Sequence, residues 1–468
     1  MRILLVRNKS HELGNVAVSY PLGVMYLAAS LTQAGHQVDI LDMNVKVCNE
    51  TVVLQRIHAF KPQWIGFSTL STAFHSFERI ASAIRKIQPA LPLVMGGPHP
   101  TQYQQEALSS PLVDITCVGE GEETVKELAE HFSQARPLAS IKGIGYKRDG
   151  RCLFTEYRPF NNTLDALPFP TRTGLAFRAY QKMRRFPHVR RGPYMSVFTS
   201  RGCPFRCKFC YNNFGKTYRA RSVANVLDEL EDIHDTYGIQ DIEVVDDIFN
   251  FDKQRTWNIF QGILERNLNL RIFFPNGLRA DKLDEELIAL MKEAGVYFTA
   301  LALETGSQRL QKLMRKGVHL DKFLHVASLL DRYGIVTKGN IMLGFPTETE
   351  EEMRLSIRMA AESRLHLAAF FIVTPFKGSE LYEEVKAKTA HFRVDFSDLN
   401  VLNGKQGYFN LSEVPDKTLF RLQKQAYRSF YHRPWRLLRI LQLYPDKPGL
   451  FTHGIASFLK WGVLKKIR

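Results

Sequence analysis

Residues 200–213, SRGCPFRCKFCYNN, place Cys203, Cys207 and Cys210 within eight positions, half of the six cysteines in a chain of 468 residues. Thiolates packed this closely are metal ligands rather than chance neighbours. A structural zinc site needs four ligands, as a rule in two separated pairs. Here no second pair follows, and the loop contains no histidine. A four-iron cluster takes one thiolate per iron, so three thiolates leave one iron open to a small ligand. That vacancy points to catalysis rather than to structure. Cys48, Cys117 and Cys152 are scattered singly. They form no disulfide framework and fit a reducing compartment.

The elements that must position these thiols follow from periodicity. The cysteines come directly after MSVFTS (195–200), a candidate buried strand. Further candidates are IEVVDD (242–247), RIFFPN (271–276), FTALALE (298–304), TKGNIMLGF (337–345) and AAFFIVTPF (368–376). Between them apolar residues recur every three or four positions, the helical period. Six such units predict a partial or complete (β/α)6 barrel with its chemistry at the carboxyl ends of the strands. Ahead of it, ILLVR (3–7), VDILD (38–42), WIGFST (64–69), LVMGG (93–97) and ITCVG (115–119) alternate with helical patterns. That order predicts a doubly wound, Rossmann-like parallel sheet whose ligand lies beyond the strand ends. At those ends stand Ser68, Thr69 and Ser71; Gly96, Gly97, Pro98 and Thr101; and Gly119, Glu120 and Gly121. Glycines and small hydroxyls there suit a polar or anionic ligand, and serve equally in ordinary turns. No GxGxxG is present. The class is α/β, with a first domain at 1–140, a linker at 141–190 that includes a hairpin in IKGIGYKRDG, a barrel at 191–385 and a mainly helical extension at 386–468.

The Cys-x3-Cys-x2-Cys spacing, with Phe209 before the last cysteine, resembles the signature of the radical S-adenosylmethionine (SAM) enzymes. The resemblance implies that Cys203, Cys207 and Cys210 hold a [4Fe-4S] cluster whose open iron takes SAM, and that SAM cleavage yields a 5′-deoxyadenosyl radical. It also implies SAM contacts at successive strand ends. These fall on Phe209, on Asp246 and Asp247 toward the SAM amino group, and on Asn276 and Arg279 toward its carboxylate. Glu304 would meet the ribose or amino acid part, and Gly339, Ile341 and Gly344 would lie beside adenine. The usual Gly-Gly-Glu at the second strand is absent here. With the front domain included, the chain resembles the cobalamin-binding radical SAM enzymes, a family of methyltransferases and the anaerobic magnesium-protoporphyrin ester cyclase. That likeness assigns cobalamin to Ser68, Thr69, Ser71, Gly96, Gly97, Pro98, Thr101, Gly119, Glu120 and Gly121. No Asp-x-His-x-x-Gly occurs in residues 1–140, so cobalt would lack a histidine from below, and His99 reads as a turn residue.

The resemblance implies methylation of an unactivated carbon of a small molecule, with an external electron donor such as flavodoxin or ferredoxin. A cobalamin-dependent cyclase, oxidase or rearrangement enzyme is the alternative within the family. The formal net charge of +16 brings in a second alternative, a metal-stabilised nucleic-acid-binding protein, although a solvated basic surface accounts for the charge as well. No membrane span or signal segment is read, which points to the cytoplasm. The tail LFTHGIASFLKWGVLKKIR suggests an amphipathic helix in peripheral contact with a membrane.

Overall fold

A computed structural model describes residues 1–10, 19–45, 48–175, 177–182, 193–389, 392 and 409–444. The chain divides into two compact units, the first built mainly from Met1–Met183 and the second from the residues that follow.

In the first unit, strands β1 (Arg2–Arg7), β2 (Gln37–Asp42), β3 (Trp64–Ser68), β4 (Leu93–Gly96) and β5 (Ile115–Cys117) are parallel and stand in the order 2-1-3-4-5. Most of their residues are buried, on both faces of the sheet, which is why they read as continuous apolar runs rather than alternating ones. Helices α1 (Leu22–Gln33), α2 (Glu50–Phe60), α3 (Phe74–Ile87), α4 (Pro98–Gln102), α5 (Gln104–Ser109) and α6 (Glu122–Phe132) connect them. The hairpin expected in IKGIGYKRDG forms as β6 (Ile144–Arg148) and β7 (Arg151–Phe154). It is not part of a connector, however. Ile144 and Tyr146 are buried, and β6 pairs antiparallel with β5, extending the sheet to seven strands. The first unit therefore runs well past residue 140, through α7 (Phe177–Lys182).

The second unit carries six parallel strands in chain order: β8 (Tyr194–Val197), β11 (Asp241–Val244), β12 (Arg271–Leu278), β13 (Val296–Glu304), β14 (Val336–Leu343) and β15 (Leu367–Ile372). The first and last are not paired, so the barrel is open. A small antiparallel pair, β9 (Ser200–Arg201) and β10 (Arg219–Ala220), follows β8. The surrounding helices are α8 (Val223–Tyr237), α9 (Lys253–Glu265), α10 (Glu285–Glu293), α11 (Gln308–Leu313), α12 (Leu320–Arg332), α13 (Glu350–Glu362) and α14 (Glu380–Lys388). Most begin on a side-chain cap, among them Ser222, Asp252, Asp284, Ser307 and Ser379, and Thr349 closes a capping box with Glu352. These caps start each helix just past the strand end that carries the site.

Beyond the barrel, α15 (Asp416–Tyr431) lays Leu419, Leu422, Ala426 and Phe430 inward, and α16 (Pro434–Leu443) follows it. The tail at 450–468 lies outside the described residues. Among the described residues no helix is long and apolar enough to cross a membrane.

Two polar devices fasten this extension. Arg436 is fully buried, stacks on Phe430 with its guanidinium 3.7 Å from the ring centre, and donates to the carbonyls of Leu365 (2.8 Å), Ala361 (2.9 Å), Ser363 (2.8 Å) and Phe430. Asp331 accepts from Arg439 Nε at 2.7 Å and from His366 Nε2 at 3.1 Å. Because His366 Nδ1 accepts the Thr337 amide at 3.0 Å, Nε2 carries the proton and the ring is neutral. Burial acts to raise the Asp331 carboxyl, but the bonds from His366 and Arg439 hold it down to about 2.

Replacing Arg436 by Met strands several carbonyl groups without donors. It should lower stability by about 3 kcal/mol, read from the urea unfolding midpoint. The Asp331 carboxyl is depressed below its ordinary 3.8, so its contribution is complete above about pH 4 and lost as pH falls toward about 2. Asp331→Asn should therefore be less stable than wild type at neutral pH, and the gap should close in acid.

Candidate active site

The cysteines lie on the long loop between β9 and β10, directly after the first barrel strand. The strand end is fixed from the neighbouring strand. Asp246, just past β11, is buried, and its carboxylate accepts from Thr199 N (2.7 Å), Thr199 Oγ1 (2.6 Å) and Ser200 Oγ (2.6 Å). A buried carboxylate persists where donors surround it, and these donors are the residues from which the cysteine loop departs. Arg255 of α9 reinforces the same turn by donating to the Thr199 carbonyl at 2.8 Å. The expectation that Asp246 meets the SAM amino group is therefore corrected: its oxygens are committed to the protein's own donors. Asp247 is the carboxylate turned toward the loop. It accepts from Gly202 N at 3.2 Å, and burial pushes its carboxyl up to about 6.

Burial also raises the Cys203 thiol, and it pushes Cys210 up to about 11. Both thiols respond further to charge on Cys207, and Cys210 responds to Cys203, so the three sulfurs share one neighbourhood. Yet no three His, Cys, Asp or Glu among the described residues stand close enough to hold a metal ion. Three thiols rooted in one loop are nonetheless the ligand type and number that a four-iron cluster with one open corner would use. Lys216 and Lys316 face the thiols and favour their charged form. The residues present therefore fit the iron–sulfur group.

Around this loop the structure assembles several of the expected residues. Phe209 packs on Phe345 just past β14, with ring centres 5.8 Å apart. Arg279 lies 3.7 Å over the ring of Phe205 in the cysteine loop, bonds Asp281 at 2.8 Å and donates to the Lys316 carbonyl. Asn276 donates to the Val245 carbonyl at 2.7 Å, tying β12 to the end of β11. Glu304 ends β13 in a left-handed conformation at φ 61° and pairs with Lys316 Nζ at 3.0 Å. A non-glycine residue in that region stores strain, which the ion pair offsets. Burial lowers the Lys316 ammonium, but Glu304 and the nearby Cys207 outweigh it and hold it raised.

Gly344 takes φ 94°, open to glycine, as its amide donates to Glu348 Oε2 at 2.6 Å. Gly339 is a correction. Odd-numbered residues of β14 face the helices, and a Cβ at Gly339 would stand 2.5 Å from Leu365 Cδ1. Its role is close packing on the outside of the barrel, as is that of Ile341, and both face away from the barrel interior.

In the first unit the expected loops meet at the strand ends. Thr69 N donates to the Gly96 carbonyl at 3.0 Å, Thr101 Oγ1 donates to the Gly97 carbonyl at 2.8 Å, and Gly119 N donates to Thr101 Oγ1 at 3.2 Å. Gly97 has φ 93°, and a Cβ there would lie 3.0 Å from Thr69 N. Pro98 opens α4, and Ser68 gives its carbonyl to the Asn8 amide at 3.2 Å. Ser71 Oγ lies 3.2 Å from His99 Nδ1, and the His99 ring stacks on Tyr103; His99 is a buried residue of α4 and not the turn residue expected. Two expected cobalamin contacts turn elsewhere. Glu120 accepts the Asn161 amide at 2.7 Å, and Gly121 lets the start of α6 lie against Leu27 of α1.

Sequence reading missed Asn8, whose only signal is its place right after β1. It is buried and donates to Thr69 Oγ1 at 2.8 Å, while its Oδ1 has no partner. It stands where the strand order reverses between β1 and β3, the position at which such sheets take ligands. An orphaned buried acceptor there fits a bound cofactor.

Known proteins match this arrangement. Residues 16–129 fit the family described as "B12 binding domain", and residues 197–360 fit the "Radical SAM superfamily". An uncharacterised methyltransferase of Pyrococcus horikoshii is 30% identical over 422 residues, which is 90% of this chain and 89% of that one. The anaerobic magnesium-protoporphyrin IX monomethyl ester cyclase of Rubrivivax gelatinosus is 27% identical, across 100% of this chain and 84% of its own. The radical S-adenosylmethionine methyltransferase TsrM from Kitasatospora setae, solved with cobalamin and a [4Fe-4S] cluster, superposes with a TM-score of 0.72 at 19% identity. That superposition covers 92% of this chain and 90% of that one.

Single replacement of Cys203, Cys207 or Cys210 by Ala should bring iron from about four per chain to near zero after anaerobic reconstitution. The brown absorption should disappear with it. Cys117→Ala, a buried cysteine of the first unit, should keep both.

Proposed function

The chain belongs to the cobalamin-binding radical SAM enzymes, and from that premise we propose that it moves the methyl group of SAM to an unactivated carbon of a small molecule. Its cofactors are a [4Fe-4S] cluster, SAM and cobalamin. Membership removes the reading as a nucleic-acid-binding protein. When bound, the cluster supplies the electron that splits SAM, and cobalamin supplies a carrier for the methyl group.

The chain's own residues do the holding. Cys203, Cys207 and Cys210 hold the cluster and leave one iron to SAM. Asp247 offers a carboxylate beside that loop to an ammonium. Arg279 and Asn276 stand where a carboxylate would be met, and Glu304 with Lys316 closes that side of the strand ends. In the first unit, Asn8, Ser68, Thr69, Ser71, Gly96, Gly97, Pro98, Thr101 and Gly119 form the rim for cobalamin. The electron comes from a small external donor such as flavodoxin or ferredoxin.

The observation that carries the reading is a three-thiol loop at the head of a barrel in the same chain as a B12-binding domain. The likeness to the P. horikoshii methyltransferase supports methyl transfer. The likeness to the R. gelatinosus cyclase supports a second reading, cyclisation without methyl transfer.

The two readings part without knowledge of the substrate. Reconstituted protein is incubated under reducing conditions with SAM labelled in its methyl group, and the cobalamin is then extracted. Methyl transfer predicts label on the extracted cobalamin. Unlabelled cobalamin together with release of 5′-deoxyadenosine would favour the cyclase reading.

A further inference from the structure

The interior of the barrel contains a polar pair that nothing above uses. On β14, Thr337, Gly339, Ile341 and Leu343 face the helices, while Lys338, Asn340 and Met342 face inward and are half-buried. Register extends this face. Ala300 and Ala302 of β13 lie beside Lys338 and Asn340, and Leu367, Ala369 and Phe371 of β15 lie beside Lys338, Asn340 and Met342. Partners in register on parallel strands point the same way. One layer lower, Phe273, Phe298 and Val336 are in register and buried, closing a floor. Above it Ala302, Met342, Ala369 and Phe371 are only half-buried. The inward face thus opens into a hollow with apolar walls, and on these three strands only Lys338 and Asn340 bring polar groups into it.

Neither has a protein partner there. Lys338 makes no hydrogen bond or ion pair among the described residues, and Asn340 Oδ1 is buried without a donor. Glu243, a carboxylate of the floor layer on β11, is taken by Ser196 Oγ. It does not answer the lysine: burial alone pushes the Lys338 ammonium down to about 8, with no carboxylate countering it. A cation kept in an apolar hollow without a counter-charge is costly, and that cost is relieved when an anion arrives. A pocket with apolar walls and a few convergent polar groups is the usual form of a small-molecule site.

We infer that Lys338 and Asn340 form a subsite inside the barrel for an anionic oxygen group, a carboxylate or a phosphate, on a molecule whose remainder is apolar. That this molecule is the enzyme's substrate rests on the enzymatic reading above; the site itself does not.

The test uses the full chain loaded with cluster and cobalamin. Its lysines are trace-acetylated with acetic anhydride in chloride, in inorganic phosphate or in succinate at matched ionic strength, and the Lys338 peptide is quantified by mass spectrometry. An anion that occupies the subsite should slow Lys338 acetylation on the order of ten-fold at ten times its dissociation constant, leaving exposed Lys424 unchanged. Protection by phosphate alone assigns a phosphoryl group, and protection by succinate alone assigns a carboxylate. Asn340→Leu should weaken the protection. Equal acetylation of Lys338 in all three salts overturns the inference, whether or not the variant folds. Methyl transfer is not read at any point, so a failure of the methyltransferase reading leaves this result standing, and the reverse also holds.

Discussion

The site depends on one buried carboxylate. Asp246 accepts three hydrogen bonds from Thr199 and Ser200, and through them the second barrel strand fixes the place where the first one ends. Without donors a charge at that depth would cost several kcal/mol. With them it becomes a rigid joint between β11 and the root of the cysteine loop. The next residue, Asp247, is thereby aimed at the loop itself, where it accepts the Gly202 amide. Two adjacent acids thus divide the work, one holding the scaffold and one facing the chemistry.

Charge around the loop follows from the same economy of burial. Burial favours the neutral form of Cys203 and Cys210, and the ammonium groups of Lys216 and Lys316 work against it. Lys316 is in turn held by Glu304 at the end of β13. The left-handed backbone at Glu304 places its carboxylate beside that lysine. The strand ends around the loop are thus coupled to one another: β8 to β11 through Asp246, β11 to β12 through Asn276, and β13 to the cysteines through Lys316. Deeper in the barrel the pattern is the opposite one, since Lys338 is a cation with no protein counter-charge. The upper charges serve the fold and its cofactors, and the lower one is free for a ligand.

Much of this was legible in the sequence, and the reasons are specific. Parallel strands buried on both faces appear as short apolar runs, so all eleven parallel strands were located to within a few residues. The cysteine spacing was readable because three thiols within eight positions seldom occur without a metal to bind them. The hairpin after residue 140 was recognised, but its membership of the first sheet was not, because pairing with β5 depends on contacts that local patterning does not encode. Single residues were harder to place. Which way a strand residue faces depends on register, and one position separates Gly339, which packs on Leu365, from Lys338 and Asn340, which line the hollow. Asp246 and Asp247 are neighbours with opposite fates for the same reason. Asn8 gave no signal beyond its position, since its importance comes from strand order and not from local sequence.

The central claim is that three thiolates hold an iron cluster with one corner left for SAM. Electron paramagnetic resonance of the reduced, anaerobically reconstituted protein, recorded with and without SAM, tests it most directly. The account predicts the signal of a [4Fe-4S] cluster whose line shape changes when SAM is added. Bound zinc, or a cluster signal indifferent to SAM, would contradict it.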